Sequence, residues 1–243
     1  MAHYFPKIYA PFSRKDSKSK YVDETKWSKP EFSLLQGIKW VWTAKADGTS
    51  IRLYWDGERV SFFGHTDKSQ LNERTLKYLN DTFGTKSAES IFEDMYGDTE
   101  VNVYGEFCSK DTNQNYGHLD GIFYPFDVQN AKTGQWWDRK AVSDFAKRFE
   151  LQEVPIMFIG TIREAVEYVK EVQRTWNQHY QKLKEGDFYG FCCDEIRGTE
   201  WEIKNPFGVK YPIEGIVGRL PIELLNAKGE RIITKVKCCD YEV

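Results

Sequence analysis

Apolar and polar residues alternate along many short stretches of this chain, which is the pattern of half-buried β-strands. The Asp56-Gly57 pair between two such stretches is typical of a tight hairpin turn, and Pro125 predicts a bulge or a sheet edge in another. The alternation predicts strands over residues 38–44, 50–55, 59–63, 101–107, 121–128, 154–159, 201–203, 209–219 and 231–237.

Apolar residues spaced three and four positions apart predict helices between these strands. Thr161 and Glu164 form a capping-box pattern that opens the longest helix, which runs toward Gly186. The other predicted helices cover 31–36, with a cap near Ser28, and 71–80, 88–95 and 139–149. Because strands dominate and helices are inserted rather than regularly alternating, the predicted fold class is α+β, in one domain over 1–243.

The first 36 residues are polar and broken, and we expect them to form a solvated arm. Its basic residues, Arg14, Lys15, Lys18 and Lys20, are candidates for contact with a phosphate backbone. The chain as a whole carries a net charge of −3, so any nucleic acid has to be met by such a local patch rather than by bulk attraction.

Neither a membrane span nor a secretory signal is predicted, because no apolar run reaches bilayer length and the N-terminus lacks an apolar core. The five cysteines are odd in number and occur as Cys108 and two adjacent pairs, Cys192-Cys193 and Cys238-Cys239. This arrangement favours reduced thiols and a cytoplasmic location, with metal binding by the two pairs as the alternative.

Lys45 follows an apolar, aromatic run that includes Ile38, Trp40 and Trp42. A lysine held against aromatic side chains loses solvation, which disfavours its charged form and makes its amine a candidate nucleophile. In an extended segment Asp47 projects to the same side as Lys45. By itself, Lys-x-Asp-Gly is more often a surface lysine followed by an Asp-Gly turn than part of a reactive site.

Gly48 would let a ligand approach the backbone, and Arg52 follows on the next predicted strand. Further downstream, five residues supply the remaining chemistry of a nucleotide site: carboxylates at Glu106 and Glu214, a flat ring at Phe126, and same-facing lysines at Lys235 and Lys237. Taken singly, each of these also fits a strand-end charge, a core ring or a solvated strand face.

Five segments, in this order, resemble motifs of the covalent nucleotidyltransferases, and within them most closely those of the ATP-dependent RNA ligases of bacteriophages and some cells. They are Lys45-Ala46-Asp47-Gly48, Tyr104-Gly105-Glu106, Phe126-Asp127-Val128, Glu214-Gly215-Ile216-Val217-Gly218-Arg219 and Lys235-Val236-Lys237. The resemblance covers residues 4–240. It implies antiparallel β-sheets enclosing a nucleotide pocket, flanked by helices.

The resemblance also implies a three-step reaction. Lys45 attacks the α-phosphate of ATP to form a lysyl-adenylate, AMP passes to a 5′-phosphate on RNA, and a 3′-hydroxyl displaces it. Mg²⁺, with Mn²⁺ as an alternative, is assigned to Glu214 and Glu106, of which Glu106 lies nearer the ribose. Lys235 and Lys237 meet the phosphates, Phe126 stacks on adenine, and Asp47, Gly48, Arg52 and His65 complete the nucleotide-binding set.

The chain departs from the family pattern at Ala44, where glutamate is common, and at His65, where arginine is common. Adenylate formation is therefore expected to be slower, more pH-dependent, or supported by Arg52. No OB-fold or helical C-terminal domain is expected, so RNA would bind the catalytic domain itself or be captured by a protein partner. The alternatives are a DNA nick ligase, a capping-type guanylyltransferase, or an RNA-binding module with weakened catalysis.

Overall fold

A computed structural model describes residues 5–109, 121–184 and 213–243. The chain packs as two compact units. Unit 1 comprises Met1–Pro6 and Asp47–Val154, and unit 2 comprises Lys7–Ala46 and Pro155–Val243. The backbone passes from unit 2 into unit 1 directly after Ala46. A single domain over 1–243 stays a prediction, whereas the α+β class is confirmed by the elements themselves.

Unit 1 is built on a four-stranded antiparallel sheet in the order β5-β4-β6-β7. Its elements are β4 (Thr49–Trp55), β5 (Val60–Phe63), α2 (Glu73–Phe83), α3 (Lys86–Tyr96), β6 (Val101–Cys108), β7 (Ile122–Asn130) and α4 (Arg139–Arg148). The predicted hairpin turn is present, because the N–H of Asp56 donates to the carbonyl of Arg59 and Gly57 adopts a φ of 101°. Only glycine takes that conformation at little cost.

Alternate residues of the unit 1 strands form its core, as the two-residue strand period requires. Ile51 and Leu53 of β4 and Val103 of β6 are fully buried, and aromatic residues of α2, α3 and α4 complete the cluster. Asn72 and Thr85 cap α2 and α3 by accepting hydrogen bonds from backbone N–H groups three residues later. The opposite face of the sheet is therefore left for polar side chains.

Unit 2 contains a second four-stranded antiparallel sheet, in the order β10-β9-β3-β8. Its strands are β3 (Trp40–Lys45), β8 (Ile156–Gly160), β9 (Gly215–Arg219) and β10 (Ile233–Lys237). The helix α5 (Ile162–Lys184) packs against β9 and β10. Its capping box is confirmed, since Thr161 N–H donates to the Glu164 carboxylate and Glu164 N–H donates to the Thr161 hydroxyl.

The prediction of a solvated arm over the first 36 residues is wrong. The strands β1 (Phe12–Arg14) and β2 (Val22–Trp27) pair as a small antiparallel sheet, and the Phe12 side chain is buried within unit 2. Tyr9 forms a parallel bridge to Thr234. Two such short strands need few apolar residues, so their alternation is too brief to stand out in the sequence.

The first helix also begins differently from the prediction. α1 (Pro30–Leu34) starts after Lys29, which makes no side-chain cap, and the hydroxyl of Ser28 donates to the carbonyl of Ala10 at 2.5 Å. Proline suits the first helical position because its missing N–H is not needed there.

Two of the basic residues of the expected arm are paired. Arg14 contacts Asp240 at 2.9 Å and Lys15 contacts Glu242 at 2.6 Å. Of the cysteines that the structure describes, Cys108 and Cys238 are buried and Cys239 is exposed, and none of the three forms a disulfide. Four features named in the sequence analysis lie outside the described residues. They are Cys192-Cys193, the strand predicted over 201–203, the first residues of the strand predicted over 209–219, and the helix end near Gly186. In the described part of the chain, no helix has the length and hydropathy to cross a membrane.

Candidate functional site

Lys45 is the last residue of β3, and its side chain is 23% exposed. The expectation that Trp40 and Trp42 desolvate it is wrong. Side chains alternate between the two faces of a strand, so Lys45, which is three residues after Trp42, points away from the face that carries both tryptophans. The two tryptophans are completely buried on the other side of the sheet. The surroundings of Lys45 are set instead by the neighbouring strands β9 and β10.

Strand register places the predicted lysines of unit 2 on one face of its sheet. Lys45 lies opposite Gly215 of β9, and Gly215 lies opposite Lys237 of β10. Lys235, two residues before Lys237, shares that face. We call the face that carries these three lysines the lysine face. The glycine between Lys45 and Lys237 is required by packing, because a Cβ there would overlap the carbonyl oxygen of Val236.

Glu214, just before β9, joins two of these lysines. One carboxylate oxygen accepts from Lys45 and the other from Lys237, and the Glu214 side chain is only 16% exposed. Burial acts to raise the pKa of Glu214, but the charge of Lys45 and the hydrogen bonds from both lysines outweigh it and hold the pKa below its ordinary value. Burial likewise acts to lower the pKa of Lys237, and Glu214 reverses the effect and raises it.

Lys235 differs from its two neighbours. Its pKa lies below the ordinary value, first because of burial and then because of the charges of Lys45 and Lys237. Arg219 at the end of β9 adds a further cation to unit 2, and its guanidinium donates to the Thr43 hydroxyl at 3.4 Å. Such a concentration of positive charge around one carboxylate is suited to binding a polyphosphate.

Unit 1 presents its predicted residues on the face of its sheet opposite the core, which we call the polar face. Arg52 of β4 lies directly opposite Tyr104 of β6, and Glu106 follows two residues later on the same side. The N–H of Gly48 donates to the Glu106 carboxylate at 3.2 Å. A Cβ on Gly48 would overlap the carbonyl oxygen of Phe107, so the neighbouring strand already requires glycine at this position.

The Arg52 side chain is held by three residues that were not among the predicted site residues. Its guanidinium donates to Asp67 at 2.6 Å and to Asn102 at 3.0 Å, lies 4.1 Å from the ring centroid of Phe63, and is 6% exposed. Asn102 in turn donates to Gln129 at 3.3 Å. The sequence does contain one indication of this role for Asn102. It is a polar residue between Val101 and Val103 in a predicted strand, so its side chain is expected on the face opposite the core.

Phe126 occupies a bulge in β7. Tyr104 pairs with Asp127 and Gly105 pairs with Pro125, so Phe126 is the extra residue between two paired positions. The bulge predicted at Pro125 is thus confirmed. A bulge turns its extra side chain away from the regular alternation. The ring of Phe126 meets that of Phe5, which was not predicted to take part, with centroids 5.2 Å apart.

The two remaining predicted residues lie at turns of unit 1. His65 is exposed in the turn after β5, and Asp47 lies in the connection between β3 and β4, outside either strand. The strand period that was expected to place Asp47 on the side of Lys45 therefore does not extend to it. All ten predicted residues lie among those described, distributed over the lysine face, the polar face, the β7 bulge and these turns.

The family model described as RNA ligase matches residues 38–237 of this chain. The chain belongs to the RNA ligase family. The match takes in both faces described above. No curated protein sequence matches the chain.

Solved structures similar to this RNA ligase family member include those of an RNA ligase from Naegleria gruberi. A mutant with ATP and Mn has a TM-score of 0.57 at 13% identity and covers 96% of this chain and 59% of its own. A mutant with AMP and Mn has a TM-score of 0.55 at 13% identity, and the match covers 86% of this chain and 52% of that one. A form with PPi has a TM-score of 0.53 at 13% identity, and the match covers 96% of this chain and 61% of that one. These likenesses show the fold. The chain spans less than two thirds of the length of that protein.

The carboxylates of this RNA ligase family member fit a divalent cation only in company with phosphate oxygens. In the described residues no group of three or more histidine, cysteine or carboxylate side chains could hold a metal. Glu214 offers one carboxylate, and both of its oxygens already accept from lysines. Mg²⁺ is commonly held by one or two carboxylates plus substrate phosphates and water, and Glu214 can supply such a share.

Proposed function

We propose that this chain is an ATP-dependent RNA ligase that joins 5′-phosphate and 3′-hydroxyl RNA ends through a lysyl-AMP and an RNA-adenylate. The observation that carries the proposal is the lysine face, on which Lys45 and Lys237 are held by a single carboxylate, Glu214. Membership of the RNA ligase family supports the reaction class. The ATP, AMP and PPi in the Naegleria gruberi structures support the choice of nucleotide.

On the lysine face, Lys45 acts as the nucleophile. Its amine, which is partly exposed, loses a proton to water and attacks the α-phosphorus of ATP. A P–N bond forms, the P–O bond to the β-phosphate breaks, and pyrophosphate leaves with the electron pair of that bond. Lys235 and Lys237 neutralise charge on the phosphates, which is the main contribution a protein can make to a phosphoryl-type transfer. The ion pair with Glu214 holds Lys45 at the end of β3 before the nucleotide binds.

On the polar face, Glu106 accepts a hydrogen bond from a ribose hydroxyl and Phe126 stacks on adenine. Arg52, fixed by Asp67, supplies a permanent positive charge for a phosphate. Asp47, Gly48 and His65 complete the nucleotide-binding set, His65 as an exposed imidazole. A bound Mg²⁺ or Mn²⁺, to which Glu214 would supply a carboxylate, would withdraw charge from the phosphates.

Intact mass spectrometry after incubation with ATP and Mg²⁺ tests this proposal. We expect the parent chain to gain one AMP, Lys45→Ala to gain none, and Lys39→Ala to behave as the parent. Lys39 is a matched control because its side chain is 64% exposed and pairs only loosely with Glu164, at 3.8 Å. Absence of the adduct on the parent across pH and metals, or its persistence in Lys45→Ala, contradicts the assignment.

The polymer and the nucleotide are tested separately. Labelled ATP and GTP compared in the adenylation assay separate a ligase from a capping-type guanylyltransferase. Nicked RNA and nicked DNA of one sequence separate an RNA ligase from a DNA nick ligase. Transfer of label to RNA ends, but not to DNA ends, is the expected outcome.

We further propose that residues 1–243 act as one nucleotidyltransferase domain and that a protein partner assists in capturing RNA. A role in RNA repair and a bacteriophage origin are proposed on the resemblance of the motifs, and a cytoplasmic location is proposed on the arrangement of the cysteines. Repair of a broken RNA in cell extract by the parent, and loss of that repair in Lys45→Ala, is the result expected for the first of these.

A further inference from the structure

Four aromatic rings meet on unit 1, and one of them comes from the start of the chain. The ring centroid of Phe5 lies 5.2 Å from that of Tyr104, 5.2 Å from that of Phe126 and 5.4 Å from that of Trp136. Tyr104 and Trp136 are themselves 5.4 Å apart. Phe5 is thus the member of this cluster that contacts every other ring. Neither the motifs nor the family match, which begins at residue 38, assigns it a role.

The contacts of Phe5 are all edge-to-face in type. Its ring plane makes angles of 81° with Phe126, 64° with Tyr104 and 76° with Trp136. Edge-to-face contact places the positive rim of one ring against the negative face of another and fixes their relative orientation. Phe5 therefore restricts how the ring of Phe126 can turn.

Phe126 has particular need of such a restriction. It is the unpaired residue of the β7 bulge, so no directly opposed residue on β6 sets its side-chain direction. A stacking side chain lowers the cost of binding a base when its ring is already held in the bound orientation. Among the residues that the structure describes, Phe5 supplies the ring contact of Phe126.

We propose that Phe5 is a positioning residue for the nucleotide base, acting by holding the ring of Phe126 in its stacking orientation. This inference rests on the proposed function, which assigns Phe126 to adenine. It implies that Phe5, which precedes the motifs by some forty residues, belongs to the nucleotide-binding machinery. It also implies that Phe5 affects binding of the base and leaves the chemistry of Lys45 unchanged.

The test measures KM for ATP and the maximal rate of adenylation in the full chain carrying Phe5→Ala, Phe5→Leu or Phe5→Tyr. Loss of an edge-to-face contact predicts that KM for ATP rises about two- to tenfold in the alanine and leucine variants and returns toward the parent value in the tyrosine variant. The maximal rate and inhibition by pyrophosphate, which has no base, should be unchanged. Tyr9→Ala removes an aromatic ring of the same segment outside this cluster and serves as the control.

Two results would overturn the inference. One is an unchanged or lowered KM for ATP in a folded Phe5→Leu variant. A lowered KM would mean that Phe5 covers the stacking face of Phe126 and competes with the base. The other is an equal loss of pyrophosphate inhibition, which would mean a general disturbance of the unit. Thermal melting establishes which variants are folded, and Phe5→Leu keeps an apolar side chain should Phe5→Ala not fold.

Failure of the proposed function is recognised separately. If the parent binds ATP but forms no adduct, the assignment of Lys45 is wrong, and equilibrium dialysis of ATP against the same variants still decides the role of Phe5. The expected change in the dissociation constant is the same two- to tenfold rise. A parent that binds no ATP contradicts both the function and the inference.

Discussion

Replacing Glu214 by glutamine tests the central electrostatic feature of unit 2. The carboxylate accepts from both Lys45 and Lys237 at 16% exposure, and the two lysine side chains are 23% and 27% exposed. A hydrogen bond to a charged group contributes about 1.5–3 kcal/mol. The glutamine amide keeps one accepting oxygen, so Glu214→Gln loses about one such bond and leaves one lysine uncompensated. We expect the free energy of unfolding to fall by about 2 kcal/mol.

The sign of the pH dependence follows from the two pKa directions. The pKa of Glu214 is lowered in the folded chain, so its contribution is complete above its ordinary value of 4.5 and is lost as pH falls through the folded value. The pKa of Lys237 is raised, so its contribution is complete below 10.5 and is lost as pH rises through the folded value. The difference between parent and variant should therefore be flat around neutral pH and shrink on the acid side.

Calorimetric melting of the parent and of Glu214→Gln at several pH values measures this difference. For a chain of this size, 2 kcal/mol corresponds to a fall in Tm of about 4–8 °C at neutral pH. Glu242→Gln is the matched control, because Glu242 pairs with Lys15 on the surface with side chains 60% and 47% exposed, where an ion pair contributes little. An equal Tm for parent and Glu214→Gln at neutral pH, or a difference that persists unchanged in acid, would refute this reasoning.

Two further changes have expected outcomes. Gly215→Ala forces a Cβ against the carbonyl oxygen of Val236 and should lower the free energy of unfolding by about 1–3 kcal/mol. A urea titration measures this change. Gly37→Ala is the control, because its Cβ meets open space and should leave the free energy of unfolding unchanged or slightly higher. Asp67→Ala removes one of the two hydrogen-bonding anchors of Arg52 and should slow adenylation several-fold in the labelled-ATP assay. It should cost at most about 1 kcal/mol of stability, because the Asp67 side chain is 42% exposed. An unchanged adenylation rate would show that its other anchor suffices to hold Arg52.

Much of the β-structure could be predicted because turn residues and alternation agreed. The Asp56-Gly57 turn set the β4–β5 hairpin, and Pro125 located the bulge of β7. The grouping of Lys235 with Lys237 also followed from the strand period alone. What linked these lysines to Lys45 in advance was the resemblance of motifs, since the pairing of β3 with β9 and of β9 with β10 joins residues far apart in sequence.

Other features could not be predicted, for identifiable reasons. The pairing of Arg52 with Asp67 depends on where a turn directs an exposed carboxylate, and the packing of Phe5 on Phe126 depends on the path of residues that have no periodic pattern. The partners of Lys45 were wrongly predicted because nearness in sequence was treated as nearness in space. On a strand, the residue three positions before Lys45, Trp42, faces the other way.

This parity explains how one sheet of unit 2 supports both a core and a charged surface. In β10 the buried Val236 alternates with Lys235 and Lys237, and in β3 the buried Trp42 and Ala44 alternate with Lys45. A slip of one residue in the pairing of β10 would bring its lysines to the apolar side, at the high cost of burying unpaired charge. The apolar residues that stabilise the sheet therefore also fix the register that places the lysines together. The positions of the lysines on the lysine face are thus a consequence of folding, and the ion pairs of Glu214 act on an arrangement that the core has already selected.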